Sequence, residues 1–226
     1  MENSSDFVVH CFFEQSGTFK NEFKKLGYKS FDYDILNDFG ETDYKLNLFD
    51  EIINAFNGYS SVFDSILPDD LIIAFFPCVR FSAQAHMLFQ CTANQLKYLP
   101  DIDKLFKVMD FHHELSVLYE LFCKLCIVCL ARGLRLIIEN PFAREHYLTR
   151  YFPLKPKIVD FDRRLRGDDF KKPTQYWFLN CEPKFCFLPE AYVLGGGKTI
   201  VSASSSVERS LINPVYAERF IKEFIL

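Results

Sequence analysis

An α/β fold built on a mostly parallel sheet, with helices on both faces, is the architecture this sequence predicts. Three observations predict it. Asp70-Leu-Ile-Ile-Ala-Phe-Phe-Pro-Cys78 is an unbroken apolar run after two acidic residues, the pattern of a strand buried on both faces. Leu134-Arg-Leu-Ile-Ile138 repeats that grammar and runs into Glu139-Asn140-Pro141. Residues 7–34 read as strand, turn, helix and strand, a βαβ unit. In both cases a proline ends the apolar run, Pro77 directly after Phe76 and Pro141 after Glu139-Asn140. Proline donates nothing to a ladder, so the chain must leave the sheet there.

The bulk composition agrees. With 226 residues, 49% hydrophobic and 25% charged, the chain suits a single globular domain over 1–226. A net charge of −4 excludes a strongly basic nucleic-acid coat, so contact with nucleic acid would need a local basic patch. The polar, acidic start Met1-Glu-Asn-Ser-Ser-Asp6 has no basic region and no apolar run, so a cytoplasmic place without a secretory signal is expected. The eight cysteines are then expected to be free thiols. The apolar stretch 115–131 is interrupted by Glu120 and Lys124, which reads as a buried helix and not a membrane span.

Taken in order, residues 7–13 form a β-favouring first strand and residues 14–18 its turn. Phe19, Phe23 and Leu26 recur at helical spacing, and Gly27 ends that helix. A second strand resumes at Tyr28 and ends in Asp32-Tyr-Asp34. Small turn residues followed by an acidic strand tip suit a nucleoside cofactor, although Asp32 and Asp34 read equally as solvated turn residues. Residues 48–56 are an amphipathic helix, a short helical piece precedes Pro68, and the central strand and Cys78 follow. The irregular stretch 80–107 reads as a mobile loop or as helical decoration. Residues 110–132 are a strong helix stopped by Gly133. A helix at 143–151, strands at 158–160 and 176–179, a hairpin partner within 181–188 and a closing helix at 216–225 complete the series.

Two strand tips would then present Cys78 and Glu139 at one edge of the sheet, where open α/β folds bind ligands. A sulfur there suggests covalent catalysis, and a buried thiol used as a small apolar side chain is the alternative.

These segments resemble a known family. Asp70-Leu-Ile-Ile-Ala-Phe-Phe-Pro-Cys78 with Phe81-Ser82 resembles the Pro-Cys segment of the cytosine-5 DNA methyltransferases, and Glu139-Asn140 resembles their second catalytic segment. Cys11-Phe-Phe-Glu-Gln-Ser-Gly-Thr-Phe19 is similar to their S-adenosylmethionine-binding turn. Arg209-Ser-Leu-Ile-Asn-Pro-Val-Tyr-Ala217 resembles the C-terminal segment that completes the cofactor pocket, and Lys171-Lys-Pro-Thr-Gln-Tyr-Trp177 a late segment of small phage- and prophage-type members. The likeness runs in order from residue 7 to about 224.

The resemblance implies a Rossmann-like S-adenosylmethionine-dependent methyltransferase fold acting on C5 of cytosine in DNA, with Cys78 as nucleophile and Glu139 as its partner. It implies cofactor contacts at Phe13, Glu14, Ser16, Gly17, Thr18, Asp32, Asp34, Asn47, Leu48, Pro77, Ser210 and Ile212, with Asp32 on the ribose. Gln15 and Thr18 stand where the family prefers glycine, and Val79 where it has glutamine. Arg163, Arg164 and Arg166 are the nearest candidates for its basic third motif. With Arg80, Lys171 and Lys172 they form the candidate nucleic-acid contacts, or else a solvated face. Only some twenty residues separate the Cys186 region from the C-terminal segment, where family members carry a target-recognition domain, so recognition of DNA would come from a partner. An RNA-directed methyltransferase and a non-catalytic binding module of the same fold remain as alternatives.

Other signals are set aside. Cys123, Cys126 and Cys129 sit three apart in an apolar helix, where residues of one face pack, so no metal site is expected. His112-His113 reads as a solvated helix start. Gly195-Gly-Gly-Lys-Thr199 lacks the first glycine of a phosphate loop and a following helix.

Overall fold

The computed structural model describes residues 7–189 and 211–226. A seven-stranded sheet runs through it in the order β3-β2-β1-β4-β5-β7-β6. The strands are β1 (Val8–Phe12), β2 (Lys29–Asp34), β3 (Tyr44–Lys45), β4 (Leu71–Phe75), β5 (Arg135–Pro141), β6 (Ile158–Asp160) and β7 (Thr174–Leu179). The pairs β2–β3, β1–β2, β1–β4 and β4–β5 are parallel. Strand β7 lies antiparallel between β5 and β6. This is the 3-2-1-4-5-6 order of a doubly wound sheet with one reversed strand inserted near its edge, and the order reverses between β1 and β4.

The helices cover both faces, as the apolar runs required. On one face α1 (Thr18–Lys25) and α6 (Pro214–Phe224) bury Phe19, Phe23, Phe220 and Phe224 against Val9, Cys11, Leu71, Ile73 and Ile137. On the other, α2 (Leu48–Phe56) and α4 (Asp101–Arg132) bury Ile52, Phe122, Leu125 and Cys129 against Phe12, Ile72, Ala74, Leu136 and Ile138. Alternate residues of one strand thus feed two cores, which explains why β4 is apolar throughout and β5 is apolar from Leu136 to Ile138.

Several boundaries move. Helix α4 begins at Asp101 behind Pro100, nine residues before the expected start, and ends in the left-handed Gly133. The stretch before it holds the short α3 (His86–Phe89) between two 3₁₀ turns. The next helix, α5, is a single turn (Tyr147–Tyr151). Among the described residues, 181–189 form no strand. Instead, the backbone N–H groups of Lys184 and Cys186 donate to the carbonyls of Phe224 and Glu223, laying this segment along the end of α6. No helix of the described residues is long and apolar enough to cross a membrane. The Gly195–Thr199 stretch falls outside the described residues.

Candidate active site

The two strands that flank the reversal, β1 and β4, end in Phe12 and Phe75, and β5 reaches beyond them to Pro141. Register places Glu139 beside Phe75. Three residues further along, after Pro77 has turned the chain out of the sheet, comes Cys78. The turn is closed by the N–H groups of Phe81 and Ser82 donating to the Cys78 carbonyl at 2.9 and 3.1 Å. Asn140 fastens it to β5, because its side-chain amide donates to the Phe76 carbonyl at 2.8 Å from a fully buried position. Cys78 and Glu139 therefore meet on the wall of one cleft of about 270 Å³ at the carboxyl edge of the sheet.

Glu139 lines the cleft from a buried position, and among the described residues its Oε1 has no hydrogen-bond partner. Burial pushes the Cys78 thiol up, the Glu139 charge pushes it further, and the Lys172 ammonium opposes both. Lys172 reaches this wall because β7 runs back along β5. The Phe142 N–H donates to the Pro173 carbonyl at 2.8 Å, and the Thr174 hydroxyl to the Lys172 carbonyl at 2.8 Å.

On its other side the cleft is walled by Phe13, Glu14, Ser16, Asp34, Leu36 and Phe39, with Leu211 and Ile212 closing it from the C-terminal segment. A second cavity of about 370 Å³ shares Phe13, Asp34, Leu36, Phe75 and Pro77 with it and continues to Asn47, Leu48 and Phe49. Phe13 is held at φ 59, a conformation that bulky residues rarely adopt, with its N–H on the Tyr33 carbonyl. Asp34 stands at the tip of β2, where the Leu36 N–H donates to its carboxylate at 2.8 Å. Asn47 caps α2, accepting from the Phe49 N–H at 3.1 Å.

Of the expected cofactor residues, Phe13, Glu14, Ser16, Asp34, Asn47, Leu48, Pro77 and Ile212 line these two cavities. Gly17, at φ 68, supplies the turn into α1 without forming a wall, and Thr18 faces a separate surface hollow with Asn21 and Lys25. Ser210 lies outside the described residues. Asp32 needs correction. It is fully buried two positions below the tip of β2, with Lys20 Nζ 3.6 Å from its carboxylate, and lines neither cavity. The carboxylate that lines both cavities is that of Asp34. Cys11, Glu14 and Asp32 bring three potential ligand atoms within 4.8 Å of one another, but the Lys20 ammonium beside Asp32 already supplies the positive charge there.

The basic residues also need correction. Arg163 is fully buried, ion-paired to Asp168 and stacked 4.3 Å from the Tyr216 ring centre. Arg164 holds Asp162 through two bonds of 2.8 and 2.6 Å, and Arg166 holds Glu223 through two of 2.8 and 2.7 Å. Arg80 pairs with Glu114 and stacks on Phe111. Arg80, Arg163 and Arg166 fasten loops to helices, and Arg164 closes its own turn on Asp162. Lys171 remains exposed beside the cleft residue Lys172.

No protein-family model matches the chain, and no curated protein matches it. What the cleft can do follows from its own chemistry: a thiol and a carboxyl around one space, with a carboxylate and apolar walls beside it.

Proposed function

We propose that this chain is a methyltransferase of the Rossmann-like, S-adenosylmethionine-dependent kind that modifies C5 of cytosine in DNA. The observation that carries the reading is the meeting of Cys78 and Glu139 in one cleft, continuous with the cavity that ends at Asn47.

The residues present fit the cofactor. Asp34 offers a carboxylate to a ribose diol, while Leu48 and Phe49 offer apolar walls to a flat base. The N-terminus of α1 argues for a nucleoside without phosphates. The Phe19 N–H in its first turn already donates to Glu14 Oε1 at 2.9 Å, so a carboxylate of the chain occupies the place a pyrophosphate would take. When bound, S-adenosylmethionine supplies an electrophilic methyl group.

The chain's own residues do the rest. Cytosine C5 is a poor nucleophile until something adds at C6. The Cys78 thiolate adds to C6 and forms the C–S bond, while Glu139 hydrogen-bonds N3 and shares a proton with the ring there, which stabilises the charge that develops. Once C5 is methylated, loss of its proton restores the double bond and expels the sulfur. The base must leave the duplex to reach this cleft. Because Arg80, Arg163, Arg164 and Arg166 are spent on internal pairs, a partner supplies recognition of the DNA.

The test is trapping on mixed-sequence DNA that carries 5-fluorocytosine, in the presence of S-adenosylmethionine. The fluorine blocks release, so a denaturant-stable adduct mapped to Cys78 is the expected result. Absence of any adduct on duplex, mismatched and single-stranded DNA alike would overturn the reading. An adduct on RNA alone would transfer it to RNA.

A further inference from the structure

We propose that Lys172 activates Cys78: its ammonium, set on the wall of the cleft that holds the thiol, favours the thiolate that attacks. The role rests on the attack proposed above, but ionisation of the thiol needs neither DNA nor cofactor and is tested without them.

Position is the first argument. Thr174 pairs with Pro141, and the chain just before it is pinned by three hydrogen bonds: Phe142 N–H to the Pro173 carbonyl, the Thr174 hydroxyl to the Lys172 carbonyl, and Lys172 N–H to the Phe170 carbonyl at 2.9 Å. Pro173 fixes its own φ as well. Lys172 is thus delivered to the carboxyl end of β5 by the ladder itself, on the wall that carries Glu139 and Cys78.

Charge is the second. Around the Cys78 cleft stand Glu139 from β5 and Glu14 and Asp34 from the ends of β1 and β2, all of them acidic. Arg80, two residues along, is taken by Glu114. Arg163 lies behind Glu139, within reach of its charge, but is sealed in the core with Asp168. Among the described residues, Lys172 is the one basic side chain on the cleft wall. Burial and Glu139 both disfavour the thiolate, and Lys172 works against them. The proton lost by the thiol passes to solvent, and no oxidant or other reactant is needed.

Lys172 would then be a positioning residue for charge, and its signature is a pH profile. The rate at which iodoacetamide alkylates Cys78 is followed against pH, peptide by peptide, so that the exposed Cys186 is scored separately. In Lys172→Met and Lys172→Gln the midpoint for Cys78 should rise by about one pH unit, roughly a tenfold loss of rate at fixed pH below it. Lys172→Arg should keep the wild-type midpoint, and Glu139→Gln should move it down. The proposal is overturned if both neutral variants keep the wild-type midpoint, if Lys172→Arg shifts as they do, or if Cys78 is not alkylated at any pH. If the midpoints move as expected while 5-fluorocytosine traps no adduct, Lys172 still tunes the thiol and only the methyltransferase reading fails.

Discussion

Glu139 and Cys78 were legible as a pair because each follows an apolar run and lies within two residues of a proline, and the proline marks the sheet edge without any knowledge of the tertiary structure. Their chemical weights differ. In the proposed reaction Cys78→Ala removes the atom that would bond the base, and it should abolish both methyl transfer and the 5-fluorocytosine adduct. Glu139→Gln keeps the shape but holds no proton for N3, so turnover should fall ~10²–10⁴-fold in single-turnover assays, with the adduct still formed slowly. The residue-level errors share one cause. Asp32 and Asp34 point to the same side of β2, and sequence spacing carries no depth. Only the fold shows that Lys20 roofs the first while the second reaches the cleft. Arg80, Arg163 and Arg166 misled for the same reason, since their acceptors come from elsewhere in the fold: Glu114 from α4, Asp168 from a loop, Asp160 from the end of β6 and Glu223 from α6. His146 carries a separate, measurable consequence. It is fully buried, and burial lowers its pKa to about 4 from 6.5. A histidine kept neutral when folded costs nothing above about pH 6.5. As pH falls from about 6.5 towards about 4, the unfolded chain takes up the proton first, so stability declines by up to ~3 kcal/mol. Urea melts at about pH 7 and about pH 4.5 should show that decline, and His146→Gln should flatten it.

At the scale of elements, what the sequence disclosed depended on whether a pattern had to satisfy one partner or several. Strands β4 and β5 were plain because both faces are buried, whereas β3 has two residues, Tyr44 and Lys45, both exposed, and offers no period to read. Helix α4 was seen only from residue 110 because its buried face starts at Leu115. Its earlier apolar residues Ile102, Leu105, Phe106 and Met109 are exposed and looked like loop. The 181–188 segment was read as a hairpin partner, but the neighbour it meets is a helix end, which accepts its N–H groups at two points and provides no ladder. Helix α1 shows a turn chemistry with few glycines, in which Glu14 accepts from the first turn of the helix and Phe13 and Gly17 both take left-handed conformations. A Cβ at Gly17 would stand 2.7 Å from Glu41 Oε2 as well as at φ 68. Gly17→Ala should therefore destabilise the fold by ~1–3 kcal/mol, read as a lowered denaturation midpoint, and should weaken cofactor binding with it.

For the molecule as a whole, the decisive fact is that the order of the sheet reverses between β1 and β4, leaving a crevice above their carboxyl ends that no helix can fill. One half of the crevice, from β1 and β2, is lined by Phe13, Asp34 and Leu48. The other, from β4 and β5, holds Cys78 and Glu139. If the first half is the nucleoside site, a ligand bound there ties α2, the β2 tip and the Pro77 loop together and should stabilise the entire chain by mass action. At a ligand concentration a hundredfold above Kd the gain is about 2.7 kcal/mol, a rise in Tm of roughly 5–10 °C for a chain of this size. Thermal melts with S-adenosylmethionine should show that rise, while ATP and NAD, whose phosphates would confront Glu14, should give little or none. Asp34→Ala separates a ligand contact from a structural one: its carboxylate touches the chain chiefly through the Leu36 N–H, so the ligand-free Tm should change little while the ligand-induced rise disappears. A rise that survives in Asp34→Ala would place the ligand elsewhere on the sheet edge.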